Sequence, residues 1–131
     1  MKLEFLENIN EYNEHAIRLY GFDSSQAKEF SQTIDHLIAH NENPIDLSTL
    51  NFIESINCKL TLRVADGDEG ISTIDNLNFF CDLTINNYKN IVHLLEPFCR
   101  KESNGYQWLY DIDTPIDFLF SAGNSLPEVE A

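Results

Sequence analysis

Along this chain the spacing of apolar residues changes period, and each change marks an element. From Asp23 to His40, Ala27, Phe30, Ile34, Leu37 and Ile38 recur at helical spacing, and Asp23 with Gln26 three positions later makes a capping pair, which predicts an amphipathic helix. Upstream, Ile9, Tyr12, Ala16 and Leu19 follow the same period, with Gly21 as a stop after Tyr20, and predict an earlier helix. Leu3 and Phe5 fit a short strand equally well, so the first few residues stay open. Pro44 ends the helical region, and DLSTLNFIESI reads either as a short helix or as the approach to a strand.

The period then drops to two. Cys58, Leu60, Leu62 and Val64 alternate with Lys59, Thr61 and Arg63, as in a strand with one wet face. Asp66-Gly67 supplies turn chemistry, and Leu77, Phe79, Cys81 and Leu83 alternate again, which predicts a hairpin with a long acidic connection. In NNYKNIVHLLEPFC, Tyr88, Ile91, Val92, Leu95 and Cys99 form one helical stripe that Pro97 is expected to bend or shorten. Asn104-Gly105 turns the chain into YQWLYDIDTPIDFLF. There Tyr106, Trp108 and Tyr110 share one strand face, Gln107 and Leu109 the other, and DIDTP reverses direction. Pro115 fits the turn or the first residue of an edge strand. The expected fold is α+β: N-terminal helices, then an antiparallel sheet of two hairpins with an intervening helix, the helices packed on one face. One domain is expected over residues 1–123, with a flexible tail over 124–131 whose NSLPEVEA has no pattern. A chain of 131 residues is long enough to bury a core without disulfide or metal support.

Charge narrows the function. With 22 acids against 8 bases the net charge is -14, which disfavours direct binding to nucleic acid phosphates or anionic lipid and favours a basic partner. No apolar run approaches the roughly 20 residues that cross a bilayer. Glu4, Glu7, Glu11 and Glu14 stand where a signal peptide would be basic and then apolar. Cys58, Cys81 and Cys99 are odd in number, far apart and each within an apolar pattern, so they read as small buried hydrophobes of a reducing cytoplasm.

Signatures of catalysis are weak. DGDEG at Asp66 to Gly70 resembles the start of a calcium loop, but an EF-hand needs an acid at its twelfth position and Leu77 stands there. His36 and His40 have metal-ligand spacing, yet Leu37 follows His36 where HEXXH requires glutamate. His15 and His93 are isolated and read as locally hydrogen-bonded side chains. There is no GxSxG elbow, no Gly-rich phosphate loop and no cysteine with a local activating partner. Asp111, Asp113 and Asp117 offer paired carboxylates for acid/base work, but three aspartates around a proline turn read more simply as a wet hairpin. A protein without enzymatic activity, metal or cofactor is the expectation.

The distribution of charge is more informative. Asp66, Asp68, Glu69, Asp75 and Asp82 occupy a stretch without a base, and from Glu102 onward there is again no lysine or arginine. A partner-binding surface is therefore expected at Asp111, Asp113 and Asp117, with Asp66, Asp68 and Glu69 second, and Trp108, Tyr106 and Tyr110 as aromatic anchors inside a charged rim. Trp108 has a competing role as core filler under a helix, given the high average burial of tryptophan.

In size, acidity and α+β pattern, and most of all around YQWLYDIDTPIDFLFSAG, the chain resembles the small acidic immunity proteins of bacterial polymorphic toxin and contact-dependent growth inhibition systems. The resemblance is one of type and carries no shared motif. It implies a cytoplasmic protein that binds one cognate toxin domain, commonly a nuclease, and blocks its active site or substrate groove; a basic groove suits an acidic partner. Two alternatives belong to other classes: an acidic nucleic-acid mimic that regulates a DNA-binding protein, and a small hydrolase, which would need a concave pocket holding the aspartates or histidines.

Overall fold

Asn8 and Asn13 adopt left-handed backbone, at φ 55° and 59°, and bend the chain between two strands rather than letting a helix form. In the computed structural model, which describes residues 1–9, 11–40, 43–112 and 115–123, Lys2–Leu6 (β1) and His15–Tyr20 (β2) are an antiparallel pair with Phe5 opposite Ile17 and Leu3 opposite Leu19. The N-terminal helix expected from Ile9, Tyr12, Ala16 and Leu19 is thus replaced by a hairpin. HAIRLY is buried on both faces, so its apolar residues do not alternate and their spacing mimics a helical stripe. Gly21, at φ 64°, turns the chain out of β2.

The helix Ser24–Ala39 (α1) starts as expected. The Asp23 carboxylate accepts from the Gln26 backbone N–H and the Gln26 side chain accepts from the Asp23 N–H, a complete capping box. Ala27, Phe30, Ile34 and Leu37 are its buried stripe. DLSTLNFIESI resolves into a 3-10 turn at Leu47–Thr49, after the two-residue strand Ile45–Asp46 (β3), and the short strand Glu54–Ser55 (β4). Asn57 then works as an extra strand residue, its amide accepting from the Phe5 N–H and donating to the Phe5 carbonyl at 2.8 and 2.9 Å.

Lys59–Val64 (β5) and Asn78–Leu83 (β7) lie where alternation placed them, but they run parallel, with Leu60 opposite Phe79 and Leu62 opposite Cys81. The expected hairpin between them is overturned by a strand inside the connection, Gly70–Thr73 (β6), antiparallel to β7. The tight turn is therefore at Ile74–Leu77, with Asn76 at φ 58°, and not at Asp66-Gly67. A four-residue edge strand with one inward side chain, Ile71, leaves too short a pattern to read.

The second helix, Ile85–Arg100 (α2), buries Tyr88, Ile91, Leu95 and Phe98; Val92 and Cys99 lie at the margin of that stripe. Pro97 does not shorten it. Its ring is exposed, on the solvent side of the helix. Tyr106–Tyr110 (β8) and Ile116–Ser121 (β9) form the expected antiparallel hairpin. Pro115 precedes β9, and β9 is no edge strand, because it pairs with β8 on one side and in parallel with β2 on the other.

The described residues thus form nine strands and two helices in an α+β arrangement, with two mixed sheets in place of one antiparallel sheet: β4-β1-β2-β9-β8 and β3-β5-β7-β6. Phe120 joins the helices to the larger sheet, with Phe30 of α1 at 5.7 Å, Phe98 of α2 at 5.1 Å and Phe22 at 4.0 Å between ring centroids. Phe5 of β1 meets Phe79 of β7 at 4.6 Å and ties the two sheets together. Burial of each large apolar side chain in this core contributes about 1.5–3 kcal/mol. The residues expected to form a tail, 124–131, lie outside those described.

Candidate functional site

Acids on the smaller sheet are held in local structure. The β5–β6 connection leaves Asp66, Asp68 and Glu69 exposed. The Asp68 carboxylate accepts from the Thr84 backbone N–H at 2.8 Å and from the Thr84 hydroxyl at 2.9 Å. Thr84 is itself the N-cap of α2, so Asp68 braces the start of that helix, and these hydrogen bonds hold its carboxyl below the usual range. Asp75 accepts from the backbone N–H groups of Leu77 and Asn78 and from the Asn78 side chain, closing the β6–β7 turn; its carboxyl too is depressed, chiefly by Asn78. Asp82 receives both ends of the Arg63 guanidinium fork at 2.7 Å, while Arg63 stacks over the Phe80 ring at 4.2 Å.

The second acidic stretch is built differently. A bulge in β8 moves the register between Trp108, opposite Leu119, and Tyr110, opposite Phe118. Leu109 and Tyr110 consequently both enter the core, at 3% and 6% exposure. This corrects the expectation that Tyr106, Trp108 and Tyr110 share one face. Tyr106 is exposed and Trp108 half-buried outside the core cluster, on the sheet face turned away from the helices. Tyr110 instead points through the core side, its hydroxyl 3.5 Å from the Asp68 carbonyl.

That contact brings the β5–β6 connection to the end of β8, where Asp111 and Ile112 are exposed. The two acidic stretches meet, although their strands belong to different sheets. Tyr106 is at the opposite end of β8 and does not join this group. Asp113 lies outside the described residues.

Asp117 is the unusual member. It sits in the interior of β9 on the outer face, between Ile116 and Phe118 of the core, and is only 7% exposed. Its Oδ1 is buried without a hydrogen-bond partner. Burial first, then the neighbouring carboxylates Glu14 and Asp111, push its carboxyl up to about 6. Glu14, half-buried just before β2, was missed by the sequence reading, since it fell inside a segment expected to be helical. Parallel pairing of His15 with Ile116 is what sets Glu14 beside this end of β9.

Other candidates are dispersed. His36 and His40 are exposed with ring centroids 4.6 Å apart, and among the described residues no group of three or more His, Cys, Asp or Glu is placed to hold a metal ion. His15 accepts from the Asn8 N–H through Nδ1 at 3.1 Å, and the exposed His93 lies 3.7 Å from Glu96. Cys58 and Cys81 are buried and Cys99 half-buried, all three as free thiols, and burial pushes the first two up to about 11 and 12. No helix of the described residues is long and apolar enough to cross a membrane. No protein-family model matches the chain, and neither curated proteins nor solved structures give a match to it.

Proposed function

We propose that the protein is a non-enzymatic inhibitor of the immunity type, which binds a basic protein partner, a cognate toxin domain and foremost a nuclease, in the cytoplasm. The observation that supports this reading best is the gathering of Glu14, Asp111 and Asp117 at one end of the larger sheet, where the charges acting on Asp117 are themselves carboxylates. A fold that places a buried carboxylate beside two others gives up stability, and a basic partner restores it on binding. Asp66 and Glu69, exposed on the connection that Tyr110 reaches through the Asp68 carbonyl, add a second acidic patch, and Ile112 and Trp108 are apolar side chains able to exclude water from a contact.

The partner to test is the product of the neighbouring coding sequence, which this reading expects to carry a toxin domain. Calorimetry should give a tight one-to-one complex with that domain and no binding to a panel of unrelated basic proteins, and the complex should suppress nuclease activity. Comparable binding to the whole panel would point to the nucleic-acid mimic instead. Turnover of an ester or phosphoester by the isolated protein, lost in Asp117→Asn, would point to the hydrolase.

A further inference from the structure

Asn104 is followed by Gly105, and no other asparagine in the chain precedes a glycine. Both residues are exposed, in the connection between the end of α2 at Arg100 and the start of β8 at Tyr106, outside every helix and strand. The Asn104 side chain has no hydrogen bond among the described residues. Space around Gly105 is open: beyond its two chain neighbours, a Cβ there would meet only the Ser103 Oγ, at 3.2 Å. The Gly105 N–H donates to that same hydroxyl at 3.0 Å, and the Gly105 carbonyl accepts from the Ala122 N–H at 3.0 Å. Asparagines elsewhere are better guarded. Asn57 is held through both ends of its amide by Phe5, Asn78 donates to Asp75, and the N–H that follows Asn87 is bound by the Thr84 carbonyl at 3.1 Å in α2.

We propose that Asn104 is a site of spontaneous covalent modification, converting to aspartate and isoaspartate in the folded protein. The Gly105 nitrogen attacks Cγ of the Asn104 side chain. A bond from that nitrogen to Cγ forms, the bond from Cγ to Nδ2 breaks, and Nδ2 leaves as ammonia with the proton that the Gly105 nitrogen gives up. Water then opens the resulting cyclic succinimide. Its attack at Cγ restores the main chain and leaves aspartate; its attack at the main-chain carbonyl carbon of residue 104 leaves the peptide link on Cγ, which is isoaspartate. Nothing is oxidised or reduced, and water is the only co-reactant. Glycine favours the first step because no Cβ shields its nitrogen and its backbone turns freely to meet the side chain. Aspartate adds only a charge at an exposed place. Isoaspartate lengthens the main chain by a methylene just before Gly105, which bonds Ala122, and Tyr106, which opens β8 opposite Ser121, so that end of the β8–β9 pair loosens. None of this depends on what the protein binds.

Incubation of the folded protein in mildly alkaline buffer, followed by peptide mapping with mass spectrometry, tests the conversion. Asn104 should react before any other asparagine and give two products of equal mass that separate on chromatography. Gly105→Ala should keep the fold, since Gly105 is not in the left-handed region and the one close atom ends a small side chain, and should slow the conversion on the order of tenfold. An intact Asn104 in the folded protein, with conversion only in urea, would mean that the Ser103 and Ala122 hydrogen bonds protect the pair and would overturn the proposal. Equal rates in the parent and Gly105→Ala would overturn the attack by the Gly105 nitrogen. Hydrogen exchange reads the consequence: the Ala122 amide should exchange faster in the isoaspartate fraction than in the parent, and at the parent's rate in Asn104→Asp. Equal exchange in all three would overturn the loosening of the sheet.

Discussion

The smaller sheet and the bulged end of the larger one are both rich in acids and opposite in physical state. In the first, Asp68 braces a helix start, Asp75 closes a turn and Asp82 holds Arg63, so each carboxylate has donors of its own. In the second, Asp117 is buried with an unpaired oxygen beside two further acids. An acid count alone does not distinguish structure from function. The partner that each carboxylate already has inside the fold does.

The sharpest challenge to this contrast is Arg63→Ala, which strands the Asp82 side chain at 13% exposure and removes the stack on Phe80. A loss of about 2–3 kcal/mol is expected in urea denaturation. A negligible loss would mean that the smaller sheet does not depend on its ion pair.

Asp117→Asn should act in the opposite direction and stabilise the protein at pH 7 by about 1–2 kcal/mol, a figure reduced for solvent that still reaches the carboxylate. The sign follows from linkage. With its folded value raised from 3.8 to about 6, the native state binds more protons than the unfolded chain in that interval, so Asp117 costs stability above it and the cost disappears as pH falls through it. The gain from Asn should therefore vanish near pH 4. Asp68 has the reverse slope: its contribution is present above the unfolded carboxylate value and is lost as pH falls through its depressed folded value. Denaturation of Asp117→Asn and Asp68→Asn from pH 3 to 8 reads both slopes.

Asp68→Ala should cost about 1 kcal/mol, the usual value of a helix-start acceptor, with the loss visible as faster amide exchange in the first turn of α2. Smallest of all, Asp66→Asn with Glu69→Gln should stay within about 0.5 kcal/mol of the parent, while slowing association with the proposed basic partner and flattening its salt dependence.

What the sequence revealed follows from which elements have one wet face. α1, β5, β7 and α2 alternate or repeat because solvent lies on one side, and their spacing was legible in Phe30, Leu60, Phe79 and Tyr88. β2 has no such side. Its outward Arg18 is 8% exposed and paired with Glu4, so HAIRLY carries no strand signature. β6 is too short to show a period. At the candidate site, Asp117 was named from its place after a proline turn and expected to be wet. Its burial depends on β9 lying between β2 and β8, and on a bulge that the regular alternation of YQWLY conceals. Glu14 required the same long-range pairing to be seen at all.

Interior placement of β9 also orders the assembly of the molecule in time. Ile17 can find Phe118, and Leu19 can find Phe120, only after nearly the whole described chain has been synthesised. Pairings of such long sequence separation are entropically late, and they slow folding relative to domains built from local contacts. Until then β2 presents an open edge and an uncovered face carrying Ile17 and Leu19, in the period when a nascent chain is most vulnerable to aggregation or proteolysis. A chain built this way completes its larger sheet in one late step, when the β8–β9 hairpin docks against β2.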